Sequence, residues 1–234
     1  MKISEIFEKN KKSIILIAIR IPDPTNPNKS KISIRGTGFI VSPYGKFLTC
    51  AHVYKQIPQK ELPYLEISVP GKTDEKGITY FDRYKAKLLK MDEENDLALM
   101  QIISDKSDFK AITNFGDVEK VKEGDEVVFI GYPLATELLG MGFGITMSTN
   151  HCIISAIKRR GKDGSLHFFM IDTHINKGSS GSPVFLRESG EVIAVTNARI
   201  SQSIFLPEKK IKFDIPANMG ICRPINYALN LIKD

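Results

Sequence analysis

Three cysteines in 234 residues, Cys50, Cys152 and Cys222, are too few and too scattered for a disulfide framework, and none stands at metal-ligand spacing. They read as reduced core thiols and favour a reducing compartment. Long apolar runs are missing too. Residues 14–19 form an apolar stretch between Lys11-Lys12 and Arg20, but it is shorter than a signal-peptide core and no small-residue cleavage site follows. No stretch is long enough to cross a membrane as a helix. The expectation is a cytoplasmic chain without a leader and without a membrane partner. Charge of one sign is not in great excess: 33 basic and 27 acidic residues leave a net +6. The basic clusters Lys158-Arg159-Arg160 and Lys209-Lys210 lack an accompanying aromatic platform, so nucleic acid is not an expected partner. There is no internal repeat and no low-complexity tract. The 42% hydrophobic and 26% charged residues that remain describe a globular chain, sized for one unit or for two small β-domains sharing an interface.

The pattern along the chain is one of short strands and turns. Residues 1–12 read as a short amphipathic helix or arm, with Ile3, Ile6 and Phe7 on one side. Residues 14–21 are a buried, β-branched strand, ended by an exposed loop at Pro22, Pro24 and Pro27. Gly36-Thr37-Gly38 leads into a second strand, and Phe47-Leu48-Thr49-Cys50 returns after a Pro43-Tyr44-Gly45 turn. Residues 65–69 and 84–89 are further strands. A polar stretch at 104–113 is placed as the linker between domains at 13–110 and 111–234. Strands follow at 127–133, 152–157, 167–171 and 191–197, with a Gly- and Met-rich loop at 138–149. Residues 201–218 read as an insertion with Pro207 and a charged tip, and Ile225, Leu229 and Ile232 have helical spacing.

The chemistry gathers at Asn176-Lys177-Gly178-Ser179-Ser180-Gly181-Ser182-Pro183. Glycines at 178 and 181 allow sharp turns, so Ser180 stands exposed between two bends. The amides of Gly178 and Ser180 can then point into one small space, the geometry an oxyanion hole needs. A serine nucleophile requires a base, usually His, and an acid to orient it. All four histidines, His52, His151, His167 and His174, precede Ser180, which excludes the nucleophile–acid–histidine order of α/β-hydrolases. An acid-first order has only Glu5, Glu8 and Asp23 to draw on before His52. The order His, Asp, Ser fits with His52 after a strand end, Asp96 at the edge of the apolar run 97–102, and Ser180.

Gly36-Thr37-Gly38-Phe39-Ile40-Val41, Leu48-Thr49-Cys50-Ala51-His52-Val53, Asn95-Asp96-Leu97-Ala98-Leu99 and Gly178-Ser179-Ser180-Gly181-Ser182-Pro183 together resemble the trypsin-like serine peptidases, most closely the HtrA/Deg branch. The resemblance implies an all-β fold of two six-stranded antiparallel barrels with a C-terminal helix and a cleft between the barrels. It implies a serine endopeptidase acting on polypeptides through His52, Asp96 and Ser180, with the oxyanion held by Gly178 and Ser180 and no metal or organic cofactor. A catalytically silent peptide-binding module on the same fold is the alternative. The expectation is a stand-alone peptidase domain without the PDZ domain of that branch. Ser182 replaces a usual Gly, and the run Gly181-Ser182-Pro183-Val184-Phe185 is similar to glutamyl endopeptidases. The resemblance places the primary pocket between Thr173, His174 and Ile175 on one side and Val195, Thr196 and Asn197 on the other. With His174 where tryptic enzymes hold a carboxylate, small or medium uncharged side chains are the expected preference. Ser179 stands where digestive relatives carry an Asp that pairs with a freshly cut amino terminus. Activity without N-terminal processing is therefore expected, with control through residues 134–149 or a regulatory protein partner.

Overall fold

The computed structural model describes residues 1–206 and 211–233. Pro207 and the Lys209-Lys210 tip fall outside the described residues. The first barrel consists of β1 (Ile14–Asp23), β2 (Asn26–Ile40), β3 (Lys46–Cys50), β4 (Leu65–Thr73), β5 (Thr79–Asp92) and β6 (Leu97–Ile103), closed in the order β1-β2-β3-β6-β5-β4. The second consists of β7 (Glu126–Gly131), β8 (Ser148–Arg159), β9 (Leu166–Ile171), β10 (Pro183–Leu186), β11 (Val192–Leu206) and β12 (Ile211–Pro224), closed as β10-β11-β12-β9-β8-β7. Every pairing within the barrels is antiparallel. Closure leaves neither sheet with a free long edge along its body.

Among the described residues four α-helices flank the barrels: α1 (Ile3–Asn10), α2 (Ala51–Lys55), α3 (Ala135–Gly140) and α4 (Ile225–Lys233). In α1 the Glu5 carboxylate accepts the Lys2 N–H at 2.9 Å, satisfying a first-turn donor, and Ile6 is fully buried. The arm is thus a packed helix. The β-branched run of β1 is buried from Ile14 through Ile19, as a strand facing core and neighbours must be.

Two segments differ from the sequence reading. The proline-containing stretch 22–28 is not an open loop. β1 runs to Asp23 and β2 starts at Asn26, leaving a hairpin tip in which Asp23 Oδ1 accepts the Thr25 N–H at 2.8 Å and its hydroxyl at 2.6 Å. A short side chain bonding its own turn made the reversal tighter than the prolines suggested. Likewise, residues 201–206 and 211–216 continue β11 and β12 as a paired ladder, from Ser201↔Pro216 to Leu206↔Ile211, and are not a separate insertion. Within the stretch expected as a loop at 138–149, α3 closes at Gly140 and β8 begins at Ser148.

Candidate active site

Each barrel delivers part of one cluster at their junction. β3 ends at Cys50, and the chain turns at once into α2, which carries His52 in its first turn. The β5–β6 turn presents Asp96 with a φ of 54°, a left-handed conformation that Asp tolerates better than most residues. Its carboxylate accepts the His52 backbone N–H at 2.7 Å through Oδ1. Through Oδ2 it accepts His52 Nδ1–H at 2.6 Å and Asn197 Nδ2–H at 2.7 Å. An ionised carboxylate only accepts, so His52 carries its proton on Nδ1 and leaves Nε2 as a lone-pair base. Half-burial works to raise the Asp96 carboxyl. The hydrogen bonds and charge of His52, together with the Asn197 amide, outweigh it and hold the group below its ordinary value.

Behind this pair lies Cys50, whose thiol donates to Thr196 O at 3.1 Å. Complete burial, with Asp96's charge adding to it, pushes this thiol well above its ordinary value. Cys50, His52 and Asp96 lie close enough to be considered as a metal set. The donors are engaged elsewhere: the buried Cys50 thiol is bonded to Thr196 O, and His52 Nδ1 is committed to Asp96.

The turn from Asn176 to Ser182 is pinned by its carbonyls. Asn176 O accepts Ser179 N–H at 3.1 Å, Lys177 O accepts Leu134 N–H at 2.7 Å, and Ser180 O accepts Thr37 N–H at 2.9 Å. Gly178 O accepts the Thr37 hydroxyl at 2.7 Å. In a trans peptide the N–H points opposite the C=O. The Gly178 amide shares its peptide with Lys177 O, and the Ser180 amide shares its peptide with Ser179 O, which accepts the Ser182 N–H at 2.9 Å; each is turned away from that anchor, and among the described residues neither donates a hydrogen bond. Gly178 has a φ of 91°, and a Cβ there would collide with Tyr132 O. Only glycine fits at that position.

Ser180 Oγ donates to Asn197 O at 3.2 Å, and among the described residues no hydrogen bond joins it to His52. A cavity of about 300 Å³ opens beside the imidazole, lined by Ala51, His52, Lys55, Gln56, Glu93 and Asp96.

The six residues expected to wall a primary pocket divide differently. Val195 and Thr196 are completely buried, and Thr196 Oγ1 is turned inward onto Ser179 O. Asn197 is nearly buried and spends its amide on Asp96. These three present no side chain to an open pocket, because β11 uses them for the core and for the Asp96 and Ser179 carbonyl contacts. Ile175 is buried against Gly220. Thr173 and His174 are partly exposed, and His174 Nδ1 lies 3.3 Å from Ala217 O on β12. The residues that sequence reasoning passed over are Thr37, Leu134 and the Asn197 side chain. Gly36-Thr37-Gly38 was visible as a motif, but no spacing marks Thr37 as an anchor for a turn 141 positions away.

A double antiparallel barrel with a His–Asp pair from one barrel and a serine turn from the other is the architecture of chymotrypsin-like proteins. Consistent with this, the family model of the trypsin-like peptidase domain matches residues 36–195, and the chain belongs to that family. It is 31% identical over 191 residues to a probable periplasmic DegP-like serine endoprotease of Chlamydia pneumoniae, covering 78% of this chain and 32% of that protein. It is 32% identical over 218 residues to the magnetosome formation protease MamE of Paramagnetospirillum magneticum, covering 92% of this chain and 25% of that one. The chain thus spans about a third or less of the length of these relatives. Among solved structures, the HtrA-type protease AlgW with a decapeptide aligns over 100% of this chain and 67% of its own, at a TM-score of 0.67 and 20% identity. Deg5 aligns over 97% and 90%, at 0.65 and 20%. Both likenesses speak to the fold.

Proposed function

We propose that this chain is a serine endopeptidase domain that hydrolyses peptide bonds through an acyl-enzyme. His52 takes the Ser180 proton as Oγ attacks the substrate carbonyl, Asp96 fixes the tautomer, and the Gly178 and Ser180 amides hold the oxyanion. The observation that carries the reading is the pairing of a 2.6 Å His52–Asp96 hydrogen bond with the unspent amides of Gly178 and Ser180. The HtrA-type neighbour is described with a decapeptide, in keeping with a polypeptide substrate.

One observation favours a silent peptide-binding module instead: Ser180 Oγ is bonded to Asn197 O and not to His52. A rotation about the serine Cα–Cβ bond moves Oγ between staggered positions at small cost, and catalytic hydrogen bonds commonly tighten only with substrate bound. The peptidase reading therefore stands above it. Incubation with a fluorophosphonate probe tests the choice: labelling of the native chain that disappears in Ser180→Ala is expected. Absent labelling, or labelling that persists in that variant, sinks the proposal.

For the primary pocket, the reading narrows to Thr173 and His174 on one side and the facing β12 segment around Ala217 on the other. Small or medium uncharged side chains fit such walls best. Cleavage profiling on a peptide library checks this. Dominant cutting after Lys or Arg would refute it, and cutting after Glu that vanishes in His174→Ala would make His174 a ligand of the substrate. Ser179 has no carboxylate to pair with a new amino terminus, which supports activity without processing. Control falls to residues 134–149 or to a protein partner. The three buried, unpaired thiols support a cytoplasmic location, and cell fractionation decides it.

A further inference from the structure

One carbonyl in the serine turn is held unlike the others. Ser179 O accepts the Ser182 N–H at 2.9 Å, the Ser182 hydroxyl at 2.7 Å and the Thr196 hydroxyl at 2.6 Å. A carbonyl oxygen has two lone pairs, so three donors converging on it exceed its ordinary share. Both side chains are completely buried. Room for Ser182 exists because position 131 is glycine: a Cβ there would collide with Ser182 Oγ. The serine that replaces the family's usual glycine is thus fitted into the space that a second small residue leaves.

From this geometry we propose that Ser182 and Thr196 are positioning residues for the oxyanion hole, acting through the Ser179–Ser180 peptide. The inference rests on the peptidase reading above. The C=O of that peptide is Ser179's and its N–H is Ser180's, one of the two oxyanion donors. Two hydroxyls on the oxygen fix the plane of the unit, and planarity sends the N–H to the opposite side. They also polarise it: hydrogen bonds in series strengthen one another by roughly 10–30% in condensed phases. An N–H already polarised stabilises a developing oxyanion more than it stabilises a neutral carbonyl, and that difference is what lowers a barrier. The other donor's peptide has no such support. Lys177 O is met by a single backbone donor, Leu134 N–H at 2.7 Å. Burial alone does not explain the arrangement either, since the adjacent Ser179 Oγ is buried and has no partner among the described residues.

The test uses the full chain and its Ser182→Ala, Thr196→Val and Thr196→Ser variants, plus Ser180→Ala, with p-nitrophenyl acetate and fluorescein-labelled casein as substrates. Active sites are counted by fluorophosphonate titration, so that rates refer to competent molecules. Ser182→Ala and Thr196→Val are each expected to lower kcat by about 10-fold, below the 10²–10³ typical of deleting an oxyanion donor outright. KM should stay within about 2-fold, because the lost interaction belongs to the transition state. Inhibition by a peptide aldehyde, whose adduct carries an oxyanion-like oxygen, should weaken in parallel with kcat. Thr196→Ser keeps the hydroxyl and should recover most of the rate. Unchanged kcat in both hydroxyl-deleted variants overturns the inference, as does a loss accounted for by fewer titratable sites or one that Thr196→Ser does not rescue. Wild-type turnover no greater than that of Ser180→Ala is a different failure: it removes the peptidase reading, and this inference falls with it.

Discussion

Asp96 is the residue on which the site's electrostatics turn. Held in a left-handed backbone conformation, it receives three donors on two oxygens. Conformations of this kind persist only when the surroundings over-determine them. Because its folded pKa lies below its unfolded value, Asp96 contributes stability that is present above the ordinary carboxylate range. That contribution is lost as pH falls through the depressed folded value. Asn197→Ala removes one donor, so the acid-side loss of thermal stability should move to higher pH, measurable as Tm against pH for the two proteins. A hydrogen bond to a charged group is worth about 1.5–3 kcal/mol. If that support reaches the imidazole in the transition state, kcat/KM of the variant should fall by about 10-fold or more. Position 131 offers a second check. Gly131→Ala should destabilise the fold by colliding with Ser182 Oγ and, less severely, with Thr37 Oγ1 at 2.9 Å; Ser182→Gly in the same chain should restore only the part due to Ser182, a coupling readable from a double-mutant cycle by urea denaturation. His52, Asp96 and Ser180 stand out in the sequence because short local patterns frame each of them. Asn197 could be placed next to the site but not given its partner, since its amide reaches across 101 positions and no local pattern encodes that.

The segment joining β7 to α3 matters more than its composition suggests. Leu134 is, among the described residues, the other non-glycine residue with positive φ, at 51°, and its N–H anchors Lys177 O. Glycine accepts that conformation without strain, whereas proline forbids it and removes the donor. Leu134→Gly should therefore keep kcat. Leu134→Pro should release the Gly178 peptide and lower kcat by about 10²-fold, the scale of losing one oxyanion donor. Steady-state kinetics with circular dichroism to confirm folding separates the two. At the opposite end of the chain, α1 is a packing element. Ile6→Ala should cost about 2–5 kcal/mol of stability, read by denaturant unfolding, while turnover per titrated site stays as it was. Strand positions were legible from β-branched runs bounded by turn residues. Proline and charge in 22–28 and 201–218 signal loops, whereas β1 pairs with β2 up to Asp23↔Asn26 and residues 201–206 pair with 211–216.

Whole-molecule behaviour follows from how the two barrels are tied. Tyr132 Oη donates to Ile14 O at 3.2 Å, the Cys50 thiol donates to Thr196 O, and Thr37 of β2 bonds both Gly178 O and Ser180 O. Helix α4, although it ends the second barrel, also packs against β5 and β6 of the first. A single cooperative transition is expected by calorimetry, and the thiols provide an independent gauge. Cys50 belongs to one barrel and Cys152 and Cys222 to the other; all three are buried, and burial pushes the Cys152 thiol up to about 12. None should react rapidly with a thiol reagent in the native state, and all three should become reactive together on heating. Release of Cys152 and Cys222 ahead of Cys50 would show that the barrels melt separately. The double barrel was expected from the motifs, but its fastening could not be read there, because every tie is a contact between residues distant in sequence.

That fastening has a consequence for the life of the chain in a cell. His52 and Asp96 are made early in synthesis, Ser180 much later, and Thr37 from the first half must clasp the serine turn of the second before the turn holds its shape. On the proposed peptidase reading, hydrolytic power is the last property the molecule acquires. On that reading a nascent, broken or half-melted copy is chemically mute towards its neighbours, and folding itself serves as the safety catch.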